Sequence, residues 1–511
     1  MLPLADLSIP ALVRAGAAGF GDKTCVIAPE RTVTFREFAW DIAAIAETFS
    51  DMGIEARDRV GILATNSLNF LETICALGTI GAIVVPLNYR QREPELRYQL
   101  EDSGARLLLA SGRYEADAEN LGRNLDLGWR RINSVEALGL GNALRPGGDE
   151  VPHFADRAGN TPFAICYTSG TTGRPKGSVI DQKCVHMRAL KLLLELRLHP
   201  DDVTHSTTPM FHISCLVLSM MAVMRGATQV ILPQFEMAAT LGAIERHEVT
   251  FINAVPTMLA MILDRPGFEA SDFAAIRTIM YTAAPIGLPL LKRVMANYKG
   301  GLVQFLGQTE DLPQTVLTPE DHRRALDGER SERLSSIGRA CMGVELTICG
   351  DDGEPVRRGE TGEIVTRGGT GMTGYWGLED ETAKALREGR IFSGDLGWQD
   401  ADGYVTLAGR KSQMIIRGGE NVYPAEVETM LLAAPGVKDG VILGLPDETW
   451  GEIVVAVVVP AGPECEEAAV IAFCRQHLAS YKSPERVVFR DALPYNAAGK
   501  VMRQELLEGL G

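Results

Sequence analysis

Residues 167–177 read YTSGTTGRPKG. The stretch holds four glycines or prolines, four Ser/Thr hydroxyls, one Arg and one Lys. No core strand or helix accommodates that composition. TPFAICYT (161–168) before it is strand-like, and SVIDQKCVHMRALKLLLEL (178–196) after it is expected to start a helix. Glycines free the backbone so that successive N–H groups can point into one concavity. Ser169, Thr171 and Thr172 add hydroxyl donors and Lys176 adds positive charge. Together these suit phosphate oxygens. Gly170 and Lys176 have the Walker A spacing, but Pro175 stands where its second Gly must be and Gly177 replaces its Ser/Thr. The loop is therefore a phosphate loop of another kind, unless it is only a flexible surface turn.

On both sides of the loop, short apolar runs alternate with helical patterns. RVGILAT (59–65), NFLETICALGTIGA, IVVPLN (83–88), ELRYQLEDSG and ARLLLAS (105–111) read β-α-β-α-β. TQVILPQ (228–234), a helix over 238–247, VTFINAVP (249–256), a further helix and RTIMYTAAP (277–285) repeat the theme. That alternation predicts an α/β fold of mostly parallel sheets with covering helices. Residues 141–162 read as a surface connection. From about residue 343, VELTICGDDGEPV, GEIVTRG and GYVTLAGR predict a small antiparallel β section. After Arg410, strand and helix patterns predict a compact α+β unit. The expected division is 1–410 and 411–511.

The chain has 511 residues, too many for one core, and its 46% hydrophobic share is ordinary for a globular protein. A formal net charge of −16 argues against non-specific binding to nucleic acid or anionic lipid. Any polyanionic ligand must be held by a local site. The nine cysteines form no CxxC pair and sit among apolar neighbours, as free thiols in a reducing cytosol do. The N-terminus lacks the pattern of a signal peptide. The longest apolar stretch, CLVLSMMAVM (215–224), is too short to span a bilayer and reads as a buried helix. A cytoplasmic protein is expected.

YTSGTTGRPKG resembles the phosphate-binding signature of the adenylate-forming superfamily, which includes acyl-CoA synthetases, luciferases and peptide-synthetase adenylation domains. Further blocks resemble those of the family in the same order: TAAPIG (282–287), LGQTE (306–310), FSGDLG (392–397), GRKSQMIIRGGENVYPAEVE (409–428) and LPYNAAGKVMR (493–503). The texture is closest to bacterial acyl-CoA synthetases. The resemblance implies a large N-terminal domain for ATP and acid, and a small mobile C-terminal lid carrying the catalytic lysine. It implies that Thr168, Ser169, Gly170, Thr171, Thr172, Gly173 and Lys176 hold ATP phosphates. Ala283, Ala284, Pro285, Leu306 and Gly307 would line the nucleotide. Asp395 would accept bonds from the ribose, with Arg410 on ribose or phosphate oxygens. Glu310, beside Thr309, would place Mg²⁺, as a hard carboxylate can. Lys500 would bridge the carboxylate and the α-phosphate. His212 would border the acid in a positional role, in a pocket completed by Ile213, Asn253, Val255, Pro256 and Ala283. Gly418, Gly419 and Trp450 would border the CoA or other acceptor.

The chain departs from the family pattern at three places. Leu306 stands where an aromatic residue often stacks on adenine. Ser412 and Gln413 stand at the hinge, where charged residues are usual. Ser483 and Glu485 make the segment 479–487 less basic than related segments, leaving Lys482 and Arg486. The resemblance thus implies an ATP-dependent acid–CoA ligase with ATP, Mg²⁺ and CoA, acting on a small-molecule carboxylic acid through an acyl-adenylate. An amide synthetase with an amine acceptor and a carrier-protein-loading enzyme use the same blocks. An idle relative serving as a binding module is opposed by the presence of Lys176, Glu310, Asp395 and Lys500. Nothing points to a luciferase-like oxidase. A homodimer is compatible with the chain, whose oligomeric state the sequence does not encode legibly.

Overall fold

The computed structural model describes residues 7–132, 150–168, 174–284, 286–495 and 501–510. Short β-branched and apolar runs alternate with helices and form two large sheets, as the pattern predicts. One has the spatial order Gly374–Tyr375, Lys176–Asp181, Pro162–Thr168, Ile83–Pro86, Arg59–Leu63, Leu107–Ala110 and Gly128–Arg131. From Pro162–Thr168 onward its strands are parallel. The other has the order Arg339–Ala340, Thr315–Leu317, Gly301–Leu306, Thr278–Tyr281, Phe251–Ala254, Val203–Ser206, Thr228–Val230, Thr24–Ile27 and Thr32–Thr34. Its six inner strands are parallel and its edges antiparallel. Helices Leu68–Ile80, Gln182–Leu196 and Ile213–Arg225 share one apolar core with residues of both sheets. The stretch 215–224 is indeed a buried helix. No helix among the described residues is long and apolar enough to cross a membrane.

The opening loop differs from its expected setting. Lys176–Asp181 is a strand, not the start of a helix, and it returns antiparallel along Pro162–Thr168. Gly177 to Ile180 are all buried in this strand, and the β-branched pair Val179–Ile180 favours the extended chain. A Cβ on Gly177 would lie 2.6 Å from Ile165 Cγ2, so the close strand approach needs glycine. The helix begins only at Gln182, where the Asp181 carboxylate accepts the Cys184 N–H at 2.6 Å. The expected phosphate loop is thus bounded by two antiparallel strands. Its residues 169–173 lie outside the described residues, as do Pro285 and Lys500.

The antiparallel section forms as expected from Glu345–Cys349, Gly362–Arg367, Arg390–Gln399 and Val405–Arg410, with Leu386–Arg387 at its edge. Its neighbour Gly374–Tyr375 leaves it and pairs with Lys176–Asp181 instead. After a short turn at Lys411–Gln413, a further sheet is built from Ile415–Arg417, Glu420–Val422, Val437–Asp447, Gly451–Pro460 and Arg486–Phe489. Helices Pro424–Leu431 and Glu467–His477 supply part of its separate core, which includes Ile415, Val427, Ile442, Val454 and Val470. All nine cysteines are free thiols, eight of them buried.

Under the nine-stranded sheet, His322 is buried and binds on both ring nitrogens. Nδ1 lies 2.8 Å from the Thr318 carbonyl, which can only accept, so Nδ1 carries the proton. Nε2 lies 2.8 Å from the Tyr281 hydroxyl and accepts from it. Burial lowers the His322 pKa to about 4, although Asp321 nearby opposes this. Between that value and the ordinary 6.5, the unfolded chain binds more protons than the native one. The stabilisation is complete above pH 6.5 and is lost as the pH falls, up to about 3 kcal/mol near pH 4. Urea unfolding from pH 7 to 4 should show this loss, and His322→Gln should flatten it.

Candidate active site

The hairpin brings Thr168 and Lys176 into register as a cross-strand pair. Across from them stands Glu310, in the turn after strand Gly301–Leu306. Thr168 Oγ1 donates to Glu310 Oε1 at 3.4 Å, and the Tyr375 hydroxyl donates to the same oxygen at 2.9 Å. The Lys176 ammonium lies 5.3 Å from the Tyr375 ring centroid and forms an ion pair with Glu381. Lys176, with help from Lys384, holds the Glu381 carboxyl down to about 2. Burial and the Glu310 charge push the Tyr375 phenol upward, so it stays a donor. Three expected residues, Thr168, Lys176 and Glu310, therefore meet. Tyr375 and Glu381 complete the cluster and were missed. Their stretch GYWGLEDET reads locally as a polar turn, and only its strand pairing reveals the role.

Glu310 is held from behind by Arg188, which is fully buried in helix Gln182–Leu196. Its Nε donates to the Thr370 carbonyl at 2.8 Å, and its Nη2 donates to the carbonyls of Thr309 at 3.0 Å and Glu310 at 3.2 Å. Asp311, also buried, accepts the hydroxyls of Thr366 at 2.6 Å and Thr370 at 2.7 Å. The Met372 N–H closes on the Glu310 carbonyl at 2.6 Å. Arg188 was also missed, yet a signal existed. An arginine four residues after Cys184 on the apolar stripe of a helix must find acceptors inside the fold.

Two residues before Glu310, Gln308 reaches the other half of the site. Its amide donates to Asp395 Oδ2 at 2.5 Å and to the Ser393 carbonyl at 3.0 Å. Arg410 faces Asp395 across the strand pair and binds Oδ1 at 2.5 Å. Asp395 is buried, and each carboxylate oxygen can accept more than one hydrogen bond. Leu306 is half-buried at the strand end, and a Cβ on Gly307 would lie 2.6 Å from Leu312 Cβ. Thr282 Oγ1 donates to the Phe305 carbonyl at 2.9 Å, which ties 282–284 to this strand end. Ala283 there has φ of +74°, a strained conformation for a residue with a Cβ.

Of the residues expected to border the acid, His212 stands at the N-terminus of helix Ile213–Arg225 and its ring lies 4.4 Å from the Phe211 ring. Asn253 is fully buried and donates to Thr208 Oγ1 at 3.1 Å and to Ser206 Oγ at 3.3 Å. Val255 is buried beside it, and Pro256 opens the next helix. Gly418, Gly419 and Trp450 form a separate cluster on the C-terminal sheet. Both glycines have positive φ, and a Cβ on Gly418 would lie 2.8 Å from the Trp450 ring. Lys482 is bound by both oxygens of Glu426 at 2.8 Å, and Arg417 pairs with Glu485. At the turn before this sheet, Lys411 binds Asp351 at 2.7 Å and Glu363 at 3.3 Å.

Among the described residues no cluster of three or more His, Cys, Asp or Glu side chains could cage a metal ion. A Mg²⁺ ion fits the remaining arrangement, because it binds through one or two carboxylates and substrate phosphates and keeps several waters. Glu310 beside Lys176 offers that donor.

Residues 13–376 match the AMP-binding enzyme family, and residues 426–500 match the AMP-binding enzyme C-terminal domain. The chain belongs to this family and is an adenylate-forming enzyme that uses ATP. It is 36% identical over 500 residues to an indoleacetate–CoA ligase of Aromatoleum aromaticum, covering 95% of this chain and 94% of that one. ATP-bound MatB from Rhodopseudomonas palustris superposes with a TM-score of 0.87 at 26% identity, over 99% of both chains. The amide bond synthetase McbA from Marinactinospora thermotolerans superposes with a TM-score of 0.89 at 25% identity, over 98% of this chain and 99% of that one.

Replacing Arg188 with Met should remove three hydrogen bonds from buried carbonyls and destabilise the protein by about 3 kcal/mol. Arg188→Lys should recover less than half of this, because a single ammonium cannot reproduce the planar fork. Denaturant unfolding of both variants measures the difference.

Proposed function

We propose that this protein is an ATP-dependent acid–CoA ligase. The observation that carries the proposal is the meeting of Lys176, Thr168 and Glu310 at the end of the antiparallel strand pair, joined through Gln308 to the Asp395–Arg410 pair. One short turn, 306–310, thereby links a cationic site suited to phosphates with a buried carboxylate suited to ribose hydroxyls. ATP phosphates would take Lys176 from Glu381, and Asp395 would accept the ribose hydroxyls. Mg²⁺ on Glu310 would neutralise phosphate charge. The acid, held beside His212 and Asn253, would attack the α-phosphorus through a carboxylate oxygen, and pyrophosphate would leave. Lys500 would steady both anions during that step. Residues 411–511 would then turn about Ser412 and present the acceptor along Gly418, Gly419 and Trp450. The CoA thiolate would attack the acyl carbonyl, and AMP would leave. The similarity to an indoleacetate–CoA ligase over nearly the whole chain supports this acceptor and an aryl-type acid.

A second reading is an amide synthetase, in which an amine replaces the thiol. Two observations favour it: the superposition on an amide bond synthetase, and the neutralisation of Lys482 by Glu426 where a CoA phosphate would need free positive charge.

Pyrophosphate release over a panel of carboxylic acids separates the two. CoA-stimulated turnover with an acyl-CoA product is expected, while stimulation only by amines, with an amide product, would replace the first reading by the second. Lys500→Ala should slow adenylation by about a hundredfold or more and leave thiolysis of a supplied acyl-adenylate nearly intact. Equal losses in both half-reactions would refute that role.

A further inference from the structure

Behind the residues assigned to the acid lies a small cavity between helix Ile213–Arg225 and the nine-stranded sheet. Its volume is about 20 Å³. A space of that size admits one group as large as a water molecule. Ser206, Met210, Cys215, Leu218, Ser219 and Gln229 are among its lining residues. Its lining neighbours residues assigned to the acid in register and in chain. Ser206 stands in register with Asn253 and accepts its amide, while Met210 and Cys215 flank His212 and Ile213 in the chain.

The cavity is polar on its sheet side. Gln229 and Thr204 are paired in register, and Phe251 pairs with Thr204 on the next strand, so these three share one face. Gln229 is only 4% exposed, and its amide nitrogen has no protein partner among the described residues. Asn253 Oδ1, on the same face, also has none. A buried donor left unmade is costly, roughly 1–3 kcal/mol, so such an atom marks a place where a ligand atom gains affinity. The cavity holds no charge to match an ionised group. No Asp, Glu, Lys or Arg lines it among the described residues. Burial keeps the Cys215 thiol protonated and His205 neutral, with His205 Nδ1 donating to the Val230 carbonyl at 2.8 Å.

We infer that this cavity is a distal subsite that receives one neutral hydroxyl group at the far end of the acid, bound to Gln229 with Ser219 and Ser206 around it. This deepens, and rests on, the acid-activating function proposed above. A hydroxyl both donates and accepts, so it satisfies the Gln229 amide in either orientation. A second carboxylate in the same place would be a buried, unpaired charge and is rejected. A wholly apolar tip leaves the amide unbonded and is disfavoured. The preferred acids are therefore hydroxylated monocarboxylates, with the carboxyl and hydroxyl at opposite ends.

ATP–pyrophosphate exchange tests this without reference to the acyl acceptor. The probes are para-hydroxylated benzoate, phenylacetate and phenylpropanoate, each paired with its deoxy analogue and with the para-carboxyl compound. The wild type should favour one hydroxylated acid over its deoxy partner about tenfold or more in kcat/KM, and use the dicarboxylates least. Gln229→Leu should bring that ratio to within twofold of unity while retaining exchange with the deoxy acid. Ser219→Val, which fills the space, should do the same by steric exclusion. Equal use of hydroxylated and deoxy acids by the wild type overturns the subsite and leaves acid activation standing. So does a hydroxyl preference unchanged in whichever variant folds. Exchange with no acid overturns the activation reading and the subsite together.

Discussion

One guanidinium, buried without contact with bulk water, ties the nucleotide side of this protein together. Arg188 donates to the carbonyls of Thr309, Glu310 and Thr370, and so joins the helix after the hairpin to two turns far along the chain. Lys191, one turn further on the same helix, adds the carbonyls of Gly343 at 2.9 Å and Gly368 at 2.7 Å. Cations buried this deeply are tolerated only when hydrogen bonds replace their hydration. Here backbone carbonyls supply those bonds to Arg188 Nε and Nη2 and to the Lys191 ammonium, while Arg188 Nη1 has no partner among the described residues. The side chains of Glu310 and Asp311 stay available for other partners. If this helix shifted, Glu310 would lose its register against Thr168 and Tyr375.

The charges around that frame explain how an acidic chain can hold a polyanion. The net charge of −16 repels phosphates at long range. At the hairpin, Lys176 is stacked on Tyr375 and held by Glu381, and on the strand pair Arg410 is held by Asp395. Each cation is stored against a carboxylate that fixes its position. A ligand with stronger charge can exchange for Glu381. The Asp395–Arg410 pair lies in a strand ladder and is braced by Gln308. The region proposed for the acid is built differently, from neutral hydroxyls and amides around Asn253.

Much of this was legible in the chain. The alternation of runs such as RVGILAT and IVVPLN located the parallel strands, and the apolar helix 215–224 is buried as its composition required. The glycine-rich loop stood out because its residue types fit no core element, whereas Glu310 and Asp395 were singled out only by the resemblance of their blocks to the adenylate-forming superfamily. The strand at Lys176–Asp181 was not legible. KGSVID is short and carries no apolar–polar alternation to separate it from the helix that follows. Tyr375 and Glu381 were hidden for a related reason. A polar residue in a turn is usually solvated, and nothing local distinguishes one that is not.

By itself, then, the sequence determined the order of elements, the faces they bury and the residue types gathered on their connecting turns. Those features depend on periodicity and backbone preference, which act over a few residues. Only the tertiary structure decided which turns meet. Thr168 and Glu310 are 142 positions apart, and Lys176 and Glu381 are 205 apart. Gly374–Tyr375 deserts its own antiparallel section to edge the hairpin sheet. Such partners are chosen by the packing of whole sheets and by the need to pair each buried polar group, and no short window of residues encodes that choice.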